Sequence, residues 1–349
     1  MELQTSNTIS FSRKQLNRKE KRPRFWKVLF VICLILVLTG GVFLYSTNQG
    51  LQIRRMLLGT VLSKYHPQYE KYMELLLPKS EIEAIYNERN HPHTVQTKID
   101  RNKEKLHPAI SLSDKIKVDT INTINYTAKI MIIPDPTTVH IASTKMVGKG
   151  QPLSDLIKDK KGIAGINAGG FLDPSGKGNG GEMIGIVISS GKVLSAPLGD
   201  RDTPSLIGGF LSDGQFITGQ YSAKKLIKLG VTDAVSFGPQ LIVNGENMVG
   251  PAVDGAWGWA PRTALGQTKD GSIVMIITDG RFYWDKTHRG ASMSDMAEMF
   301  EKYEVVNAIG MDGGGSTTMI KDGQLLLKPA TSTRVGMRYL PNAWVVIPH

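Results

Sequence analysis

Residues 206–219 read LIGGFLSDGQFITG. Two apolar, β-prone runs flank Asp213-Gly214, and an Asx-Gly pair in that setting supplies the positive φ values of a tight hairpin turn. The pattern recurs at Asn244-Gly245, Asp270-Gly271 and Asp322-Gly323, with Ser190-Gly191 between EMIGIVIS and KVLSA as a weaker fifth case. Turns of this kind from about Ile121 onward predict antiparallel pairing throughout. Helices are few. Ser154 precedes DLIKDKK, and Ser222 precedes AKKLIKL with Gly230 as its stop. In SMSDMAEMFEKY, Ser292 and Asp295 have capping-box spacing, and Met296, Met299, Phe300 and Tyr303 form a core-facing stripe. The fold class expected is α+β: a curved, mostly antiparallel mixed sheet with a few packed helices.

Upstream, the texture changes. Residues 46–118 place Leu57, Leu58, Val61 and Leu62, then Leu75, Leu76, Leu77, Ile82, Ile85 and Tyr86, at helical spacing, broken at Pro67, Pro78 and Pro92. A helical stalk or spacer is expected there. His91-Pro92-His93 lacks a nearby carboxylate or cysteine and is read as an exposed turn.

Residues 28–45, VLFVICLILVLTGGVFLY, contain no charge. At about 1.5 Å per residue they reach about 27 Å, close to the thickness of a hydrocarbon core. Arg13, Lys14, Arg18, Lys19, Lys21, Arg22, Arg24 and Lys27 stand before them, on the side that the positive-inside rule keeps cytoplasmic. A core helix would need partners to shield so uniform a stretch. A cleaved signal peptide would have a shorter apolar region and a small-residue site after it. The expectation is a single N-terminal transmembrane helix: basic cytoplasmic tail 1–27, anchor 28–45, spacer 46–118 and an extracytoplasmic domain 119–349. The only cysteine, Cys33, lies inside the anchor, so the exported part forms no disulfide, as in bacterial surface proteins that avoid cysteine.

The net charge of +11 must be read along the chain. Residues 1–27 hold 8 basic and 2 acidic side chains, residues 28–118 hold 12 and 8, and residues 119–349 hold 22 and 21. A nucleic-acid surface would place its excess on the folded domain, which is nearly neutral, so no nucleic-acid partner is expected.

Four glycine-rich or arginine-bearing segments can hold chemistry. Asp312-Gly313-Gly314-Gly315-Ser316-Thr317 follows the run VVNAIGM, and such a turn brings N–H groups and hydroxyls to bear on one anion. Asn167, Gly169 and Gly170 end another apolar run. The text after them resembles a P-loop, but Gly170 and Gly176 are separated by five residues and Lys177 is followed by Gly178 rather than Ser or Thr, which rejects an ATPase. Arg262 in WGWAPRTA and Arg281 in TDGR are candidate anion ligands, because a guanidinium matches a phosphate edge. No HExxH, catalytic cysteine or GxSxG is present.

In this order the segments resemble the phosphodiester glycosidase family: INAGGF at 166–171, GIVISSGKV at 185–193, APRTALGQ at 260–267, TDGR at 278–281, SMSDMAEMF at 292–300, NAIGMDGGGSTTM at 307–319 and RYLPNAWVV at 338–346. The resemblance covers nearly all of residues 120–349. It implies hydrolysis between an anomeric carbon and a phosphodiester oxygen, with Asn167, Arg262, Asp279, Asp312, Gly313, Gly314, Gly315, Ser316, Thr317, Arg338 and Asn342 around the pocket. Leu172 departs from the family, which often has a second aromatic there, and this bears on substrate shape. Asp312 is favoured over Asp279 as the acidic residue that activates water or stabilises an oxocarbenium-like centre. Asp279 is also suited to orient Arg262 or Arg281, or to hold a structural calcium ion, which needs only oxygen ligands; no cofactor is required.

The expected partner is a glycosyl-phosphate linkage in an envelope polymer, exopolysaccharide or glycoconjugate, met outside a cell membrane. The alternative is a module that binds phosphate-containing glycopolymers without cleaving them, although two carboxylates near the site would serve such a binder poorly.

Overall fold

The computed structural model describes residues 22–62, 70–100, 116–173, 178–281, 287–331 and 336–349. Pro67, Gly176, Lys177, and all of the basic tail before Arg22 lie outside the described residues. The chain divides into two compact units, Met1–Leu51 and Gln52–His349.

In the first unit, α1 (Arg22–Ser46) is one continuous helix. Its stretch Phe25–Ser46 has a mean hydropathy of 2.8 and is long and apolar enough to cross a membrane. A signal sequence passes the same test of length and composition.

The second unit is built on three antiparallel sheets. The first runs in the order β1 (Lys117–Asn122), β2 (Thr127–Ile133), β15 (Ile273–Thr278), β14 (Thr263–Thr268), β16 (Val305–Met311), β12 (Gln240–Val243) and β13 (Glu246–Asn247). The second runs β10 (Phe216–Ser222), β9 (Pro204–Leu211), β11 (Val231–Ser236), β7 (Val187–Ser189) and β8 (Lys192–Ser195). The third runs β18 (Gln324–Leu325), β17 (Met319–Lys321), β4 (Ala164–Asn167), β19 (Asn342–Val346) and β3 (Val139–Ser143), and β5 (Phe171–Leu172) with β6 (Glu182–Met183) form a small ribbon.

All five turn pairs join antiparallel neighbours. Ser190-Gly191, Asn244-Gly245 and Asp322-Gly323 have positive φ at both residues, as a type I′ turn requires, whereas Asp213-Gly214 and Asp270-Gly271 have it only at glycine.

The inner faces of the three sheets share one core, in which Met131, Ile277 and Ile309 of the first sheet meet Phe210 and Val235 of the second and Ile166 and Trp344 of the third. Each outer face carries one helix. Helix α8 (Met293–Lys302) buries Met296, Met299 and Phe300 against Ile130, Val274 and Ile276. Helix α6 (Ala223–Leu229) places Ala223 and Leu226 with Ile188, Ile207 and Ile217, and α5 (Leu153–Asp159) places Leu156 and Ile157 with Ala343 and Val345. Burial on both faces explains why TAKIMII and IVMIIT are almost unbroken apolar runs.

Local signals set most helix starts. Ser292 and Asp295 form the reciprocal capping box, and Ser222 accepts from the Lys225 N–H while Gly230 closes α6 at φ 82°. Ser154 is not a cap: α5 begins one residue before it, after Pro152, which enters the helix with extended ψ. The short helix α7 (Pro251–Trp257) had no apolar stripe to announce it.

The described residues from Gln52 to Asp100 pack within the second unit. They include most of α2 (Asn48–Leu62), α3 (Glu70–Leu76) and α4 (Lys79–Asn90). Helix α4 lies against α7. The strand-like segment after it exchanges hydrogen bonds with the sheets: Thr97 N–H donates to the Thr218 carbonyl at 3.0 Å, and Val95 N–H to Gln240 Oε1 at 2.9 Å.

Candidate active site

Five strand ends meet around Asn167. The starts of β14 and the ends of β15 and β16 are in register, with Thr263 opposite both Ile277 and Met311, and the end of β4 pairs with the start of β19 through Asn167 and Ala343. Asn167 joins the two groups. Its Oδ1 accepts from the Thr263 hydroxyl at 2.8 Å and from Thr318 N–H at 3.1 Å, and its Nδ2 donates to the Asp312 carbonyl. Asp312 N–H returns to the Ala168 carbonyl at 2.9 Å. Fully buried, with every amide atom in use, Asn167 is a fastener of the site.

The glycine turn begins at Asp312. A Cβ on Gly313 would stand 2.7 Å from the Pro261 carbonyl oxygen, and Gly314 has a φ of +61°. Both positions therefore require glycine. The place a Gly314 side chain would take lies 3.6 Å from Arg281 Nη2, and that of Gly315 lies 3.1 Å from Arg338 Nε. The turn is thus bracketed by two guanidiniums. Arg338 also faces Asp173 across 3.9 Å and lies 6.0 Å from the Phe171 ring, while Arg281 donates to the Thr60 carbonyl at the end of α2.

Three polar side-chain atoms around this turn are buried and make no hydrogen bond among the described residues: Ser316 Oγ, Thr317 Oγ1 and Asn342 Nδ2. Asn342 Oδ1 is occupied, accepting from Gly169 N–H at 2.7 Å. A buried polar atom without a partner costs about 1–3 kcal/mol, so three together mark a place where a polar ligand would be received. Gly169 and Gly170 form the wall beside Asn342, and a Cβ on Gly170 would press on the Phe237 ring at 3.3 Å.

Burial pushes the Asp312 carboxyl up to about 6; Ser316, Arg338 and the Gly313 N–H pull it back only in part. Ser316 exerts this effect from close by without reaching hydrogen-bond geometry. A carboxyl near neutrality at the mouth of an anion-receiving turn is suited to proton transfer.

Asp279 is placed differently. Its Oδ1 accepts from Thr127 N–H at 2.7 Å and from His288 Nδ1 at 3.0 Å. These contacts tie the start of β2 and the His288 segment to the end of β15. Among the described residues no group of three or more His, Cys, Asp or Glu side chains is placed to hold a metal ion. Asp279 Oδ1 is thus taken by protein donors.

Arg262 is 5% exposed and spends its donors on main chain: Nε on Ala291, Nη2 on Trp257 at 2.7 Å and Gly258 at 2.6 Å. Burial, then the charges of Arg281 and Arg89, bring it down to about 9, so it stays cationic at neutral pH. It shapes the 257–262 loop and adds positive potential to the site.

Three contributors escaped sequence reading. His288 has no motif of its own. Thr60 accepts from the Trp259 N–H through its hydroxyl at 2.8 Å. Arg89, in the last turn of α4, stacks on Trp257. Thr60 and Arg89 lie in the segment expected to be a spacer, and nothing local in the chain links them to a site more than 150 residues away.

Comparison with known proteins adds to this geometry. The sequence description that matches, over residues 160–347, is that of phosphodiester glycosidases. An uncharacterized SPbeta prophage-derived protein of Bacillus subtilis, YomE, is 27% identical over 205 residues, which is 55% of this chain and 29% of YomE. Human N-acetylglucosamine-1-phosphodiester alpha-N-acetylglucosaminidase is 28% identical over 188 residues, 50% of this chain and 35% of the human protein. The chain thus spans about a third of the length of these relatives. Among solved structures, the catalytic domain of the zebrafish N-acetylglucosamine-1-phosphodiester alpha-N-acetylglucosaminidase, auto-inhibited by its pro-peptide, superposes with a TM-score of 0.56 at 20% identity, covering 74% of this chain and 88% of that one. That likeness is one of fold.

Proposed function

The chain belongs to the phosphodiester glycosidase family, and on that premise we propose that it hydrolyses the bond between an anomeric carbon and the oxygen of a phosphodiester, releasing a sugar and a phosphomonoester. The observation that supports this reading most is the pairing of Asp312, raised to about 6, with a glycine turn set between Arg281 and Arg338 and fringed by the orphan donors Ser316, Thr317 and Asn342.

The chemistry follows from the leaving group. An alcohol leaving a sugar needs a proton from an acid, but a phosphomonoester has a second pKa of about 6 and departs largely unprotonated. Guanidiniums and N–H groups then take the part of one of the two carboxylates a glycosidase ordinarily uses. The anomeric C–O bond breaks with its electron pair going to the phosphate oxygen. A water oxygen bonds the anomeric carbon, and ionised Asp312 accepts the water proton, which later passes to solvent. Asp279 has a positioning role through His288 and Thr127.

Apolar α1, preceded by a basic stretch, supports an anchored protein with its folded unit outside the membrane. The substrate proposed is accordingly a glycosyl-phosphate linkage in an envelope polymer, exopolysaccharide or glycoconjugate. The test is incubation of the detergent-solubilised full chain with a panel of sugar-1-phosphodiesters. Free sugar and phosphomonoester in equal amounts are expected, with turnover lost in Asp312→Asn; absence of both products from every sugar tested would remove the proposal.

A further inference from the structure

The positive charge of the site does not stop at the glycine turn. Helix α4 lies outside residues 160–347, yet it is held firmly: Pro78 begins it, Ile82 and Ile85 are buried, and Glu81 pairs with Arg55 Nε at 2.7 Å. Its last turn carries Arg89, whose Cζ stands 5.0 Å from the centre of the Trp257 ring. Arg262 Cζ stands 5.9 Å from the centre of the same ring. Trp257 in turn meets Phe237 at 6.1 Å, and Phe237 is the ring against which Gly170 packs. One aromatic wall therefore runs from the Asn167–Gly170 corner to α4, with cations on its far end.

Among the described residues, neither Arg89 nor Arg262 has a carboxylate within ion-pair distance. The acids nearest in effect to Arg262 are Asp254 and Asp295. Asp254 is engaged by Ser294 N–H and its hydroxyl, at 2.9 and 2.6 Å, and Asp295 closes the cap of α8 with Ser292. Like charges gathered on one ring, with no carboxylate of the described residues in ion-pair contact, mark a locus for an anion. A single phosphodiester bears one negative charge, and Arg281 with Arg338 already bracket the turn that would take it.

We propose that Arg89, backed by the buried charge of Arg262, forms a second anion subsite beyond Trp257, so that the favoured substrate carries a further phosphate or phosphodiester on the leaving side of the scissile bond. This rests on the glycosidase reading and deepens it: the helical segment ahead of the family-matched region selects a polyanionic substrate. A purely structural Arg89 would only stack on Trp257, a role in which charge on the substrate is irrelevant.

The experiment compares kcat/KM for two sugar-1-phosphodiesters, one with a methyl group and one with a glycerol phosphate group as the second ester, using full-length protein in detergent. The wild type is expected to favour the glycerol phosphate substrate at least tenfold. Arg89→Gln is expected to bring that ratio to about one, and Arg89→Lys to restore part of it. A wild-type ratio near one, or a ratio unchanged in Arg89→Gln, overturns the inference while leaving the glycosidase reading intact. Calorimetric binding of inorganic pyrophosphate and inorganic phosphate keeps the question separate from turnover. Pyrophosphate is expected to bind the wild type at least tenfold more tightly than phosphate, and equal affinities overturn the inference even if both variants fail to fold. Arg89-dependent pyrophosphate binding in a protein that cleaves no phosphodiester would instead uphold the subsite and remove the reading.

Discussion

The hydroxyl of Thr263 donates to Asn167 Oδ1 at 2.8 Å, and through it the first strand position of β14 is bonded to the last of β4 in a different sheet. The same amide reaches Thr318 N–H and the Asp312 carbonyl. Thr263→Val keeps the shape and strands part of the acceptor, for an expected loss of about 1–3 kcal/mol in urea unfolding. Asn167→Leu removes the acceptor for Thr318 and the donor to Asp312 together. Its kcat should fall at least a hundredfold at temperatures where the protein is fully folded, because the turn that bears Asp312 loses its fastening.

Asp312 makes stability and activity depend on pH in opposite directions. Its folded pKa, about 6, lies above the ordinary value of 3.8. Between these values the folded chain binds more protons than the unfolded one, so this group's contribution to stability falls as pH rises from about 4 through about 6. Asp312→Asn is expected to be more stable than wild type at pH 7.5, by an amount on the order of 1–3 kcal/mol that vanishes near pH 4. Activity requires the ionised form, so kcat/KM of the wild type should rise with an apparent pKa near 6. A profile that falls through pH 6 would assign Asp312 the role of acid.

Glycines at the turn and at the surface should part company. Gly313→Ala sets a methyl group against the Pro261 carbonyl, and a loss of at least a hundredfold in kcat/KM is expected as the turn shifts. Gly245→Ala meets no atom within 4 Å but has a φ of +85°. It should cost about 1 kcal/mol of stability and leave turnover unchanged, as measured by thermal unfolding and initial rates.

Asp279 separates positioning from chemistry. In Asp279→Ala the Thr127 N–H and His288 Nδ1 lose their acceptor, and unfolding is expected to become about 1–3 kcal/mol easier. Asp279→Asn retains an acceptor oxygen and should recover most of that stability. Both variants should keep the acid limb of the pH profile near pH 6, since that limb belongs to Asp312.

What was legible in the chain was local. The Asx-Gly turns, the Ser292–Asp295 cap and the Ser222–Gly230 helix depend on residues within a few positions of one another, and each stands where its chemistry requires. Ser154 misled because Pro152, two residues earlier, supplies the entry to α5 without a side-chain cap. Helix α7 is seven residues long and holds Gly255, a composition with no helical stripe to read; packing against α4 and α8 sustains it.

By itself the sequence determined the antiparallel α+β class, the apolar helix near the N-terminus and the segments that hold acids, arginines and glycines, because turn, cap and periodicity signals act over a turn or two of chain. Only the tertiary structure decided their roles. It desolvated the partly exposed Asp312 carboxyl while giving Asp279 to Thr127 and His288, turned Arg262 toward main-chain carbonyls, and brought Arg89 onto Trp257. Desolvation, orphaned donors and the convergence of like charges are properties of a surrounding assembled from remote parts of the chain, and no local spacing encodes them.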